Sequence, residues 1–345
     1  MRGGLMYHVV FGNSIGESLK DLLHQKKALL ITDEILWAKY SSYMDPCDLQ
    51  VVFTSSMEAE RLEVEHQKLK SFDIAIGMGG GVAMDIAKFH AWKGGKNLYQ
   101  LPTAISMDAM FSYPIALRYQ GRVSYVGEKI PDKIFCDFDI LLKAPKIYNR
   151  SGICDLLSCH TALFDWKLSE KMGKSKIDYP LKKATESLLK EVVKRVDEIS
   201  EVTESSIRFL MEGFQFVAEE NFRVGHCQYE EGSEHFFYYC LEAITGKTFL
   251  HGQVINLGIL LMSILQENQV ENIIDVLKRA KVPIYPSSMN ISYQEIEQVL
   301  FTCNDYVKEK SYPYSILNHK KVTNEYVEKA LTVLKTEFDP AFTLH

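Results

Sequence analysis

Three residues far apart in this 345-residue chain could together hold a metal ion: Asp155 in Gly152-Ile-Cys-Asp155-Leu-Leu, His235 in Gly232-Ser-Glu-His235, and His251 in Leu250-His251-Gly252. Two imidazoles and one carboxylate with a coordination position left open are the usual shell of a catalytic divalent metal. Each residue alone has a plainer reading. An aspartate near a helix start is commonly a cap, and a histidine beside aromatics is commonly a hydrogen-bonded core residue. The ten histidines of the chain also offer many false combinations. The spacing adds a geometric requirement. Ser233 can open a helix and Gly246 can end it, with His251 starting the next one. His235 is then about 16 Å of helix from Gly246 at 1.5 Å per residue. A tight helical hairpin would hold the two imidazoles apart. Residues 246–250, if extended, cover about 16 Å and can return the chain to His235. The triad therefore requires an extended connector.

A second constellation is backbone chemistry. In residues 73–88, a short apolar run at 74–76 passes through Gly77 and Gly79 to Gly81 into a stretch of helical spacing. A strand that runs through bare main chain into a helix N-terminus makes an anion site, because unpaired N–H groups and the positive helix end point the same way. The loop matches neither common phosphate signature. Val82 stands where the dinucleotide fingerprint has its third glycine, and no Gly-Lys-Ser/Thr follows. A plain tight turn remains the alternative.

These residues need elements to position them. Strands are expected at 7–11, 28–32, 49–53, 74–76 and 97–101, alternating with helices at 15–23, 36–43, 56–69 and from Val82 onward. That alternation means βαβ units and a mostly parallel sheet, with ligands bound beyond the carboxyl ends of its strands. Asp33, the glycine loop and the segment from Pro102 to Asp108 all fall at such ends. Residues 113–117, Gly121 and residues 123–126 suggest an inserted hairpin, and 134–137 a last strand. Beyond 145 the pattern is helical, at 148–170, 178–199, 203–221, 231–244, 251–266, 269–280, 293–305 and 323–336. The expected organisation is an α/β Rossmann-like nucleotide-binding domain over 1–145 and an all-α domain over 146–345 that carries metal and substrate.

The bulk composition excludes other classes. The net charge of −6, without a basic run, argues against nucleic acid or an anionic membrane as partner. The longest apolar run, 254–265, is too short to span a bilayer, and no signal peptide is evident. The seven cysteines are scattered without a C-x-x-C pair, which fits a reducing cytoplasm. Cys154 and Cys159 read as core, Lys182-Lys183 and Lys320-Lys321 as solvated faces, and His226 as a pocket or surface-loop residue.

Five segments in one order, Gly79-Gly-Gly-x-x-x-Asp85-x-x-Lys88, Pro102-Thr-x-x-Ser106-x-Asp108, Gly-x-x-Asp155-Leu, Gly232-Ser-Glu-His235 and Leu250-His-Gly252, resemble the sn-glycerol-1-phosphate dehydrogenases. These lie within the superfamily of iron-containing alcohol dehydrogenases, glycerol dehydrogenases and dehydroquinate synthases. The resemblance implies a dehydroquinate synthase-like fold with NAD or NADP as cofactor. Cofactor contacts would come from Gly79, Gly80, Gly81, Val82, Ala83, Met84, Asp85, Thr103, Ala104, Ile105, Ser106 and Ser112, with Asp33 near the adenosine. It implies a divalent metal on Asp155, His235 and His251, zinc in this branch with iron or nickel as alternatives. Asp108, Asp155 and Tyr239 match substrate contacts. The implied reaction interconverts dihydroxyacetone phosphate and sn-glycerol 1-phosphate, or a related small polyol and ketone, in a cytoplasmic homo-oligomer. A dehydroquinate synthase-like lyase and a non-catalytic binding protein are the competing readings. Four positions depart from the family pattern: Met107 and Ala109 stand where the family has histidine and glycine in Ser-His-Asp-Gly, Tyr239 stands for a second histidine, and Gln253 for a glutamate. The implied metal shell is intact, and the substrate wall is altered. Arg118 and Lys129 are the candidate phosphate partners.

Overall fold

The structure, a computed structural model, describes residues 7–44, 48–119 and 122–342. Two compact units divide the chain, one of Met1–Asn149 with Ile207–Val224 and one of Arg150–Ser206 with Gly225–His345. The division expected near 145 falls after Asn149, and one stretch of the helical half, Ile207–Val224, goes with the first unit.

The first unit is built on β1 (Val9–Gly12), β2 (Lys27–Thr32), β3 (Asp48–Phe53), β4 (Ile74–Gly79), β5 (Asn97–Pro102), β6 (Pro114–Tyr119), β7 (Arg122–Glu128) and β8 (Lys133–Asp137). Six of these form a sheet in the order β1-β8-β5-β4-β2-β3, with every pairing parallel. Strands β2 and β4 are buried almost throughout, as strands covered on both faces must be. Their residues alternate between two cores. Leu30, Ile74 and Ile76 pack with Leu19, Leu23 and Phe135 on one face. Leu29, Ile31 and Ala75 pack with Ile86, Phe89 and Leu98 on the other. The antiparallel pair β6-β7 forms the expected hairpin, while Gly121 lies outside the described residues.

Some elements differ from expectation for local reasons. The helix expected over 56–69 runs only from Ala59 to His66. Glu58 is held extended by a bridge to Arg118, and the Ser56 hydroxyl accepts from the Glu58 N–H. The helix expected over 148–170 is three, Lys146–Ser151, Cys154–Leu157 and Cys159–Lys171. At the second break the Ser158 hydroxyl donates to the Asp155 carbonyl, and Thr161 to that of Ser158. Hydroxyls bonding to nearby backbone in this way compete with regular helix.

The second unit is helical. Helix Ser233–Thr245 packs against His251–Gln266 and against Tyr293–Glu309. Gly258 sets the first of these contacts, because a Cβ there would lie 2.7 Å from the Glu234 carbonyl oxygen. Helix His251–Gln266 is buried from Gly252 to Gln266, which accounts for the apolar run noted in the sequence. Among the described residues no helix is long and apolar enough to cross a membrane.

Candidate active site

In the first unit, β2 leads through its helix to β3 at one edge, while β4 leads through its helix to β5 on the other side. Neighbouring strands β2 and β4 thus diverge in their connections, the arrangement that opens a crevice at the carboxyl ends of a parallel sheet. Asp33 follows β2 and the glycine loop follows β4, so both border that crevice. Gly80 caps helix Gly81–Gly94 without any side chain, and the first intrahelical bond in it runs from the Met84 N–H to the Gly80 carbonyl. The N–H groups of residues 81–83 therefore lack intrahelical acceptors. A Cβ at Gly80 would meet nothing within 4 Å, whereas one at Gly79 would lie 2.8 Å from the Ala83 Cβ. One glycine leaves the main chain open and the other lets helix and strand pack closely. The Thr103 N–H donates to the Gly79 carbonyl at 2.9 Å, which ties the next strand end to the loop.

The residues after the loop divide by direction. Val82 is 45% exposed. Ala83, Met84 and Asp85 are buried. Asp85 pairs with Lys88 at 2.6 Å and accepts from the Ala116 N–H at 3.3 Å. Lys88 also donates to the carbonyls of Ser112 and Pro114 at 3.0 and 3.1 Å. Burial pushes the Asp85 carboxyl up, against the pull of Lys88. Ile105 is buried with its N–H on Asn149 Oδ1, and Ala104 and Ser106 are half-buried. Asp33 accepts from the Leu36 N–H at 2.8 Å and caps helix Glu34–Tyr40. The Asp108 carbonyl accepts from the N–H groups of Phe111 and Ser112 in a tight turn. Met107 lies against the loop, since a Cβ at Gly81 would meet its Sδ at 2.6 Å.

In the second unit the three residues singled out for a metal come together. His251 Nε2 lies 3.2 Å from Asp155 Oδ1, and the His235 and His251 rings are 5.5 Å apart. Residues 246–250 belong to no helix, with Gly246 left-handed at φ 62° and Leu250 extended. This is the connector the spacing requires. His235 Nδ1 lies 2.9 Å from Glu234 Oε1. The Glu234 carboxylate also accepts from the Gly232 N–H and the Thr161 hydroxyl, both at 2.6 Å. Fully buried and bonded three ways, it fixes the imidazole and leaves Nε2 to face elsewhere.

Burial alone would lower the His235 pKa. The Glu234 hydrogen bond and the charges of Glu231, Glu234 and Asp155 outweigh it and lift the group to about 9. Burial raises Asp155, but the hydrogen bond and charge of His251, with His235 and Cys154 behind them, hold it below the usual carboxylate range. His235 and Asp155 hold each other's charges here, and a divalent cation bound in place of the His235 proton would meet the same donors.

Sequence reasoning missed two members of this surrounding. Glu234 adjoins His235 in the chain, and a carboxylate next to a candidate ligand was the available signal. Cys154 is buried, as expected of core, yet its Sγ donates to Asp155 Oδ1 at 2.8 Å, and Cys154, Asp155 and His251 offer ligand atoms all within 4.8 Å of one another. Tyr239 stands one helical turn from His235, with ring centroids 6.3 Å apart. Gln253 is spent elsewhere, its Nε2 donating to the Pro283 carbonyl at 2.6 Å and the Ser288 hydroxyl at 3.0 Å. His226 packs on Trp166 with rings 5.5 Å apart. Lys129 lies 3.5 Å from Asp132, and the Arg118 N–H donates to the Met57 carbonyl.

Residues 10–145 match the family model for iron-containing alcohol dehydrogenase. The chain is 26% identical over 338 residues to a glycerol-1-phosphate dehydrogenase [NAD(P)+] from Hyperthermus butylicus, covering 94% of this chain and 96% of the relative. Among solved structures, a probable glycerol dehydrogenase from Sinorhizobium meliloti superposes with a TM-score of 0.71 at 18% identity, over 95% of this chain and 96% of that one. A 2-epi-5-epi-valiolone synthase from Streptomyces hygroscopicus, solved with NAD+ and Zn2+ bound, gives 0.61 at 17% identity over 97% and 98%. The fold is therefore the dehydroquinate synthase-like one, an α/β nucleotide-binding unit with a helical one. Over most of its length the chain is similar to glycerol-1-phosphate dehydrogenases, and over residues 10–145 to iron-containing alcohol dehydrogenases.

Proposed function

We propose that this protein is a metal-dependent, NAD(P)-linked oxidoreductase. It interconverts a small polyol and its carbonyl form, either sn-glycerol 1-phosphate and dihydroxyacetone phosphate or a related pair. One observation carries the reading: Asp155, His235 and His251 converge from three helices, with Glu234 holding the His235 imidazole. The donor set of two imidazoles and a carboxylate fits a divalent ion, zinc before iron or nickel. Such an ion supplies Lewis-acid stabilisation of a substrate oxygen, and NAD(P) supplies or accepts the hydride.

The chain's own residues do the remaining work. Asp155, His235 and His251 hold the ion, and Glu234 keeps His235 in one tautomer by accepting at Nδ1. The main chain of Gly79 to Val82 receives the pyrophosphate on open N–H groups, with Thr103 beside it. Asp33, at the end of β2, disfavours a 2′-phosphate on the adenosine ribose and tilts the choice to NAD. Asp108 and Tyr239 orient the substrate hydroxyls. The scattered free cysteines are in keeping with a reducing compartment.

The test is an assay of metal-loaded protein with dihydroxyacetone phosphate or dihydroxyacetone and NADH or NADPH. Steady cofactor oxidation with at least one ketone is the expected result. Phosphate release without net oxidation would replace the dehydrogenase with a lyase, and cofactor binding without turnover on a broad carbonyl panel would remove catalysis altogether.

A further inference from the structure

Take His235 as a metal ligand, as proposed above. The residue one turn further along the same face of helix Ser233–Thr245 is then Tyr239, and its place is well determined. Its ring packs on Tyr238 and Tyr312 at 5.4 and 5.7 Å, Tyr312 is stacked on Phe236 at 4.7 Å, and its carbonyl accepts from the Tyr306 hydroxyl at 3.2 Å. The Tyr239 hydroxyl makes a long hydrogen bond, 3.5 Å, to Glu231 Oε2. The same oxygen accepts from Cys227 Sγ at 3.4 Å. A phenol and a thiol are neutral donors. Among the described residues neither hydrogen-bond partner of the Glu231 carboxylate is a cation. Its negative charge is felt around it, acting on His235, Cys227 and Tyr312. Both Glu231 and Tyr239 are half-buried, where screening by salt is weaker than in open water.

A carboxylate in this state offers lone pairs to hydrogen-bond donors and repels anions. We propose that the Glu231–Tyr239 pair sets the substrate specificity of this site, receiving the hydroxyl hydrogens of an uncharged polyhydroxy substrate and turning away a phosphate monoester. The substrate class is then a small neutral polyol and its ketone or aldehyde. Glu231 is a specificity residue and takes no proton in the reaction.

The experiment uses metal-loaded protein with NADH and compares dihydroxyacetone with dihydroxyacetone phosphate. The expected kcat/KM favours the uncharged ketone by about tenfold or more. Glu231→Gln, which keeps an acceptor oxygen and removes the charge, should move that ratio toward the phosphate by about tenfold at unchanged metal content. Tyr239→Phe should raise KM for the uncharged ketone several-fold while leaving kcat within about twofold. A wild-type preference for the phosphate ester, or a ratio unmoved in Glu231→Gln, would overturn the proposal. Calorimetric titration with glycerol and with sn-glycerol 1-phosphate separates this from the reaction itself. Tighter glycerol binding that shifts toward the phosphate in Glu231→Gln supports the pair even if neither ketone is turned over, in which case the proposed reaction alone fails. Phosphate binding at least as tight in the wild type overturns it regardless of turnover.

Discussion

The protein contains two histidine pairs of nearly equal spacing and opposite character. In the first unit, His66 and His90 stack with ring centroids 5.4 Å apart and their Nδ1 atoms at 3.1 Å. In the second, His235 and His251 stand 5.5 Å apart. Burial, and then the neighbouring imidazole, lower the His90 pKa to about 4. Carboxylates lift His235 to about 9 against the same burial. The difference lies in what the partners do. Glu234 accepts directly from His235. Glu65 Oε1 lies 3.5 Å from His90 Nε2, yet neither atom makes a hydrogen bond, and burial raises the Glu65 carboxyl. Two imidazoles side by side do not mark a site. The carboxylates bonded to them are what set the second pair apart.

The largest expected effect breaks the second pair. Asp155→Asn should remove metal and activity together, by a factor of about a thousand or more, because a neutral amide replaces the one anionic ligand. Elemental analysis checks it. Stoichiometric metal in a His235→Ala, His251→Ala double variant would show that the ion sits elsewhere.

The first pair should appear as a stability effect. A histidine whose folded pKa is depressed binds its proton more readily in the unfolded chain. Its contribution is therefore complete above the unfolded pKa, near 6.5, and is lost as pH falls toward 4. The loss from His90 amounts to at most about 3 kcal/mol. His66 is shifted down as well, by burial first, with Glu63 opposing and Lys93 assisting. Urea unfolding at pH 7 and pH 4.5 should show this fall in the wild type and a smaller one in His90→Gln. Equal falls would mean that other groups govern the acid limb.

A smaller effect tests the role of Glu234. Glu234→Gln should weaken metal binding by about ten- to a hundredfold and leave the helices folded, as competition with a chelator would measure. An unchanged affinity would make Glu234 a packing residue. The smallest effect belongs to Asp33. Its replacement by alanine removes a helix cap and should cost about 1 kcal/mol in thermal or urea unfolding.

The two units were unequally legible in the sequence. The parallel sheet announced itself through short apolar runs in regular alternation with helices. Residues such as Leu29 and Leu30 face opposite cores in the manner the pattern predicts. The glycine loop was readable because its open main chain is built from glycine, the residue that leaves it uncovered. The neighbourhood of Asp155, His235 and His251 was readable only as a combination, since nothing local links residue 155 to 235 and 251. Glu234 escaped notice because a glutamate in a first helical turn looks like ordinary dipole compensation. Its burial is a tertiary fact. The three helices over 146–171 were read as one because Ile153, Cys154 and Ser158 do not interrupt a helical pattern by type. The second interruption comes from hydroxyl-to-backbone bonds made in place.

The second unit is discontinuous in the chain, and this bears on how the protein is made. Asp155 lies in its first segment, while His235 and His251 lie in its second, beyond the stretch Ile207–Val224 that belongs to the other unit. The bond between His251 and Asp155 spans 96 residues. During synthesis the carboxylate emerges long before either imidazole, and the loop between them must close before a metal can be held. With the proposed ligand set, metal uptake is a late event of folding, and the rate of metal incorporation into refolding protein would report completion of the native chain where fluorescence or helicity would report only its beginnings.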